Sequence, residues 1–122
     1  MRVKGAQLIA EERNRQVNVE GWTDAHDDAH TFAQLADAAA CYATAAADLI
    51  QGRKIENVRH FIPRSWPWTK EWWKPSDDPI RTLVKAGALI AAEIDRLQRI
   101  PANAPAQGRE AYPAPHGSEV SP

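Results

Sequence analysis

One cysteine, Cys41, is all the chain contains, so no disulfide can close within it and the fold must rest on packing. Long apolar runs are missing as well. No stretch approaches the roughly eighteen residues that a bilayer span requires, and Met1-Arg2-Val3-Lys4-Gly5 lacks the apolar core of a secretion signal. A strong net charge is also lacking: the formal value is −1, whereas a duplex-DNA-binding domain is usually strongly basic. Neither a glycine-rich phosphate loop, nor a zinc-finger spacing, nor a nucleophile elbow occurs, which removes the commonest signatures of nucleotide hydrolysis, structural zinc and serine hydrolases. These absences lead us to expect a cytoplasmic protein with neither a membrane nor nucleic acid as partner.

What is present fits one ordinary domain. The chain has 122 residues, 43% apolar and 25% charged, enough for a modest core. Its charges are unevenly placed. Residues 11 to 48 hold eight acids against Arg13 and Arg15, and residues 53 to 74 hold six bases against Glu56 and Glu71. Such polarity can steer an anion to one face or pair the two halves with each other.

The spacing predicts an all-α fold of three helices. The last is the clearest: Asp78 suits the N-cap, Pro79 the first turn, and Pro101 ends it. Ile80, Leu83, Val84, Gly87, Ile90, Ala91, Ile94 and Leu97 recur along one stripe, which is expected to face a partner helix. The middle helix is expected from Thr31, in a Thr-x-x-Gln capping box with Gln34, to a stop at Gly52. Its inward positions are mostly alanine, so the two helices are expected to pack antiparallel and close, with Gly87 matching the alanine surface. The first helix, about residues 6 to 17, has few apolar residues; Glu11 and Arg15 are spaced to pair, and Arg13 or Gln16 is expected to turn inward toward the acidic cluster. A proline-interrupted connection of some twenty-five residues separates the middle and last helices, a length typical of functional loops. The domain is expected to span 1–100, and the proline-rich 101–122 to form a disordered tail.

Two segments carry candidate chemistry. The first is Trp66-Pro67-Trp68-Thr69-Lys70-Glu71-Trp72-Trp73, with four tryptophans in eight residues among basic side chains. Prolines and charges keep these rings off a single helical stripe, and consecutive Trp72 and Trp73 cannot both face the core. Two of the four rings are expected to plug the open side of the slim helix pair. The others are candidates for stacking on a nucleobase while Arg64, Lys70, Lys74 or Arg81 meets phosphate, or for anchoring a protein partner.

The second segment is Gly21-Trp22-Thr23-Asp24-Ala25-His26-Asp27-Asp28-Ala29-His30. On a helix, His26 and His30 share one face at the spacing by which zinc proteases hold two ligands, with Asp27 in the place of their glutamate. No third ligand follows at a characteristic distance. The simpler reading is a polar turn into the middle helix, with Trp22 as a core anchor or a pocket wall. Cys41, set among alanines, is expected to be an inert buried residue.

Glu12-Arg13-x-Arg15-Gln16, Glu20-Gly21-Trp22-Thr23-x-x-His26-Asp27-Asp28-x-His30, Ala38-Ala39-x-Cys41-Tyr42-Ala43, Trp66-Pro67-Trp68, Trp72-Trp73-Lys74-Pro75 and the run from Leu83 to Ile94 together resemble a family of small phage and prophage proteins. The likeness covers residues 11 to about 99, and the chain departs from it at Phe32-Ala33-Gln34, where relatives often carry glycine and glutamate. The resemblance implies a phage setting inside bacterial cells and no particular activity.

Two functional expectations follow. The first is a non-enzymatic accessory protein that binds a small anionic, nucleotide-like ligand or a host protein, as in counter-defence sequestration or inhibition. Its site would draw on Trp22, His26, Asp27, His30, Arg64, Trp66, Trp68, Trp72, Lys74 and Arg81, with no cofactor. The second is a metal-dependent nucleotide hydrolase, with Glu12, His26, Asp27 and His30 converging on a divalent ion. Surplus indole on a thin helical unit also leads us to expect a homo-oligomer.

Overall fold

The computed structural model describes residues 2–103 and 121–122 of the chain. It is all-α: α1 (Gly5–Asn18), α2 (Asp24–Asp28), α3 (Gln34–Ile50), α4 (Ile55–His60) and α5 (Pro79–Arg99), with a 3-10 turn over Lys70–Trp72. Among the described residues no helix is long and apolar enough to cross a membrane. Most of the expected tail, residues 104–120, lies outside the described residues.

α3 and α5 form the spine and share the most extensive contact in the fold. Their pairing is antiparallel. Asp37, early in α3, senses the charge of Glu93, late in α5, while Tyr42 lies 5.6 Å beneath the Lys85 ammonium, about two turns earlier in α5. The seam between them is narrow because its residues are small: Ala38, Ala39, Ala45 and Ala46 of α3 are buried, as are Thr82, Ala86, Ala88 and Ala92 of α5. Helices can approach closely only where side chains are short.

That closeness overturns the expected orientation of α5. Ile80, Leu83, Ile90, Ile94 and Leu97 are exposed rather than packed on α3. The branched stripe would hold the two axes apart, so the small-residue face turns inward instead. Gly87 does not match the α3 alanines either. A Cβ there would come within 2.7 Å of Ile9 Cγ1, so the glycine lets α1 settle onto α5. α1 buries a polar side, Glu12 and Gln16, and its Arg13 pairs with buried Asp27. Arg15 pairs not with Glu11 but with Glu12 and Glu20, each at 2.9 Å.

The start of α3 also differs from expectation. Thr31 is not its cap: the helix begins at Gln34, and Ala33 at the N-cap takes the left-handed φ of 63°. Gln34 does reach back, its Oε1 accepting from Phe32 N at 2.7 Å, one residue later than a box with Thr31 requires. The histidine-aspartate segment instead forms its own short helix, α2, whose Thr23 Oγ1 accepts from His26 N. Gly52, at φ 95°, ends α3, and its N–H donates to Leu49 O at 3.0 Å. Asp78 caps α5, Oδ1 accepting from Ile80 N at 2.9 Å, and Pro79 opens it.

Candidate functional site

The rings form one connected series. Trp22 stacks on His26 at 5.4 Å and 7°, His26 meets His30 edge-on at 5.2 Å, and His30 meets Trp68 at 5.6 Å. Trp68 abuts Trp66 at 5.2 Å, and Trp66 abuts both Tyr42 and Trp73. Trp66, Trp68 and Trp73 are sealed, so three of the four clustered indoles fill the open side of the helix pair, one more than expected. Each removes about 150–250 Å² from water, worth roughly 4–6 kcal/mol before entropy at about 25 cal/mol per Å². Trp22 stays half-buried and Trp72 is 37% exposed.

A buried indole still has an N–H to satisfy. Trp66 Nε1 donates to Thr69 O at 3.2 Å, and Trp73 Nε1 donates to Val58 O at 3.2 Å. Trp68 Nε1, equally sealed, meets no acceptor among the described residues. Its side chain borders a cleft of about 120 Å³.

α1, the loop carrying Trp22, the 66–74 stretch and α5 each supply a wall of that cleft. The aromatic side is Trp22, Tyr42, Trp66, Trp68 and Trp72, and the polar side is Glu12, Arg15, Gln16, Glu20, Lys74 and Lys85. Lys74 rises 5.1 Å above the Trp72 ring, so the exposed indole and a cation act together. Lys85 Nζ donates to Lys74 O at 2.6 Å. Burial pushes the Lys85 pKa down, and Arg81, Arg15 and Lys74 press the same way against the opposing pull of Glu12. Burial would raise the Glu12 carboxyl, but hydrogen bonds from Arg15 and Arg81 outweigh it and hold the group below its ordinary value. The Tyr42 hydroxyl is pushed up to about 12, chiefly by burial, and accepts from Lys74 N at 3.4 Å. Clustered perturbed groups beside a cleft make it the candidate functional site.

The expected site residues divide among several places. Trp22, Trp66, Trp68, Trp72 and Lys74 come together at the cleft, with Trp66 and Trp68 buried and packed perpendicular to each other. His26 lies behind Trp22, with Nδ1 2.9 Å from Asp27 Oδ1 and Nε2 2.9 Å from Pro122 O. Asp27 is fully buried and tied to Arg13, so its charge is spent on holding α1 to α2, and His30 is buried against Trp68. Arg81 faces another hollow, with Leu8, Asp78 and Ile80, and binds Glu12 at 2.8 Å. Arg64 is exposed and does not border the cleft.

His26 lies beside Asp27 and His30, but the four proposed metal ligands do not converge as a set. Glu12 is held by Arg15 and Arg81, Asp27 by Arg13, and among the described residues no group of three or more histidine, cysteine or acidic side chains is arranged to hold a metal ion. Burial pushes the Cys41 thiol up, the opposite of what a nucleophile needs.

Sequence reasoning missed Lys85, Arg15 and Gln16. Lys85 carried a signal: it lies on the same side of α5 as Thr82, Leu89 and Ala92, and a lysine on an inward face needs a reason. The expectation that the branched stripe faced inward put Lys85 on the solvent side.

Comparison with protein-family models, with curated proteins and with solved structures finds no match for this chain.

Proposed function

We propose that the chain binds a small, planar, anionic ligand of nucleotide-like chemistry in the cleft between Trp22 and Trp72, and that it does so without turnover. The observation that carries this reading is the sealed N–H of Trp68, which has no acceptor among the described residues, on a side chain that borders a cleft lined by Arg15, Lys74 and Lys85 against Glu12 and Glu20. An oxygen or ring nitrogen of a ligand supplies the missing acceptor. The aromatic part of the ligand stacks on Trp72 or Trp22, and its charge rests near Arg15, Lys74 and Lys85. At about 120 Å³ the cleft is smaller than the 300–1,000 Å³ of drug-sized pockets, so one flat ring enters and the anionic part stays at the rim. The phage setting suggested by the motifs makes sequestration of a small host signal a natural use.

A second reading, docking of a host protein, has its own support. Phe61 is 79% exposed beside a hollow of about 510 Å³ between α3 and α4, floored by Ala45, Val58 and Trp73. Exposed aromatics beside apolar hollows are common anchors of interfaces.

The test is a thermal-shift panel of mononucleotides and cyclic dinucleotides, with and without divalent cation. A bound ligand raises the midpoint by mass action. The cleft reading expects a rise that Lys85→Met removes, that Phe61→Ser leaves intact and that needs no metal. No rise with any planar anion counts against it, and a rise that depends strictly on metal returns attention to the hydrolase alternative.

A further inference from the structure

Pro122 is distant from α2 in the sequence but not in space. Its backbone oxygen lies 2.9 Å from His26 Nε2, and the residue, half-buried, borders the same cleft as Trp22 and Trp72. Its tether starts nearby. Arg99, the last residue of α5, holds Asp28 at 2.7 Å and Asp24 at 3.3 Å, so α5 ends against the helix that carries His26. A segment anchored beside its own docking place meets it at an effective concentration of about a millimolar, enough to hold a weak contact closed much of the time.

The contact is built like a docked ligand rather than like core. Aromatic-lined grooves accept proline because its ring is rigid and loses little freedom on binding. His26 supplies the polar partner and is itself held in place: its ring stacks on Trp22 at 5.4 Å and 7°, and Nδ1 is 2.9 Å from the sealed carboxylate of Asp27. Ser121 stays exposed, so the segment seals little surface. The Trp68 Nε1–H still meets no acceptor among the described residues, so Pro122 covers the rim of the cleft and leaves its Trp68 end open.

We propose that Ser121–Pro122 is an internal occupant of the cleft rim, latched on His26, and that a planar anion entering between Trp22 and Trp72 displaces it. The displacement rests on the cleft being the binding site, whereas the docking of the segment does not. A competitor within the same chain lowers apparent affinity by the fraction of molecules it leaves open, so freeing the segment tightens binding. A lid that closed over the ligand would have the opposite effect, because its loss would remove contacts from the bound state. The sign of the change therefore separates the two.

Paramagnetic broadening in the full chain reads the docking without any ligand. A nitroxide on Ser121→Cys, with Cys41→Ala so that only one site is labelled, should broaden the Trp22 Nε1–H signal far more than that of Trp73, which does not border the cleft. Equal broadening of the two, or none, overturns the inference. Adding adenosine monophosphate should relieve the broadening, and Pro122→Gly and His26→Phe should each bind it about threefold or more tightly than the wild type. His26→Phe keeps a ring beside Trp22 but offers no donor to the Pro122 oxygen. Pro122→Gly alters no helix and decides the matter if His26→Phe fails to fold. Binding that leaves Trp22 broadened, or that weakens in Pro122→Gly as a lid requires, overturns the displacement. If neither the wild type nor Pro122→Gly binds any nucleotide while Trp22 is broadened, the function assigned to the cleft fails and the docked segment stands.

Discussion

Ala33 holds a backbone angle, φ 63°, that an alanine adopts only at a cost. Ala33→Gly should therefore stabilise the fold by about 1 kcal/mol, because glycine takes the left-handed angle without strain. Urea denaturation would show the gain as a higher midpoint at unchanged slope. Glu12 makes the opposite prediction. Its carboxyl binds Arg15 and Arg81, and its pKa is held below 4.5. A group with a depressed folded pKa contributes stability above its unfolded pKa and loses it as pH falls through the folded one. Glu12→Gln should cost about 1–2 kcal/mol near neutrality, the range for hydrogen bonds to charged groups with partly exposed partners. The difference from wild type should shrink as the pH is lowered below 4.5, and a constant difference down to pH 3 would contradict the assignment.

At the scale of elements, the ends of α5 were legible because they are chemical: Asp78 caps and Pro79 fits only a first turn. Its inward face was not. Both sides of the helix are apolar, one through isoleucine and leucine and the other through alanine with Leu89 and Val84, and hydrophobicity alone favours the former. The close approach of alanine-faced α3 decides for the latter, and that is a property of the pair which neither segment states by itself. The α2 segment shows the same dependence on the rest of the chain. The spacing of His26 and His30 has the form of a metal motif, but Asp27 between them pairs with Arg13 and His30 packs on Trp68, both from elsewhere in the chain. Gly87 ties the elements together, since Ile9 of α1 occupies the space a side chain would need. Gly87→Leu should displace α1 and destabilise the protein by about 1–3 kcal/mol, the cost of overpacking. Amide exchange should show the protection of α1 falling before that of α3.

For the whole molecule, the tryptophan cluster and the nearby charge were readable in order but not in detail. Consecutive Trp72 and Trp73 do divide, one outward and one sealed, as alternating directions require. Trp66 and Trp68, two residues apart in a non-helical stretch, both go inward because alternate residues share a face, and the turn closed by Trp66 N on Pro63 O leads into them. Three cationic side chains then meet at a cleft with partly buried Lys85 among them, and this crowding gives binding a pH dependence. An anion beside Lys85 favours its charged form, so binding is coupled to proton uptake. Affinity for the anion should fall as pH rises through the lowered pKa of Lys85, below 10.5, and Lys85→Met should lose both the affinity and that dependence. Titration calorimetry at several pH values measures both.

The most direct test is the indole region of a ¹⁵N-labelled spectrum, where the five tryptophan Nε1–H signals can be followed one by one while a mononucleotide or cyclic dinucleotide is added. The account predicts that the Trp68 resonance, assigned through Trp68→Phe, moves saturably downfield as its proton gains an acceptor, with the Trp66 and Trp73 signals changing little. A ligand that binds while the Trp68 signal stays fixed, or the failure of every planar anion to move it, would contradict the account.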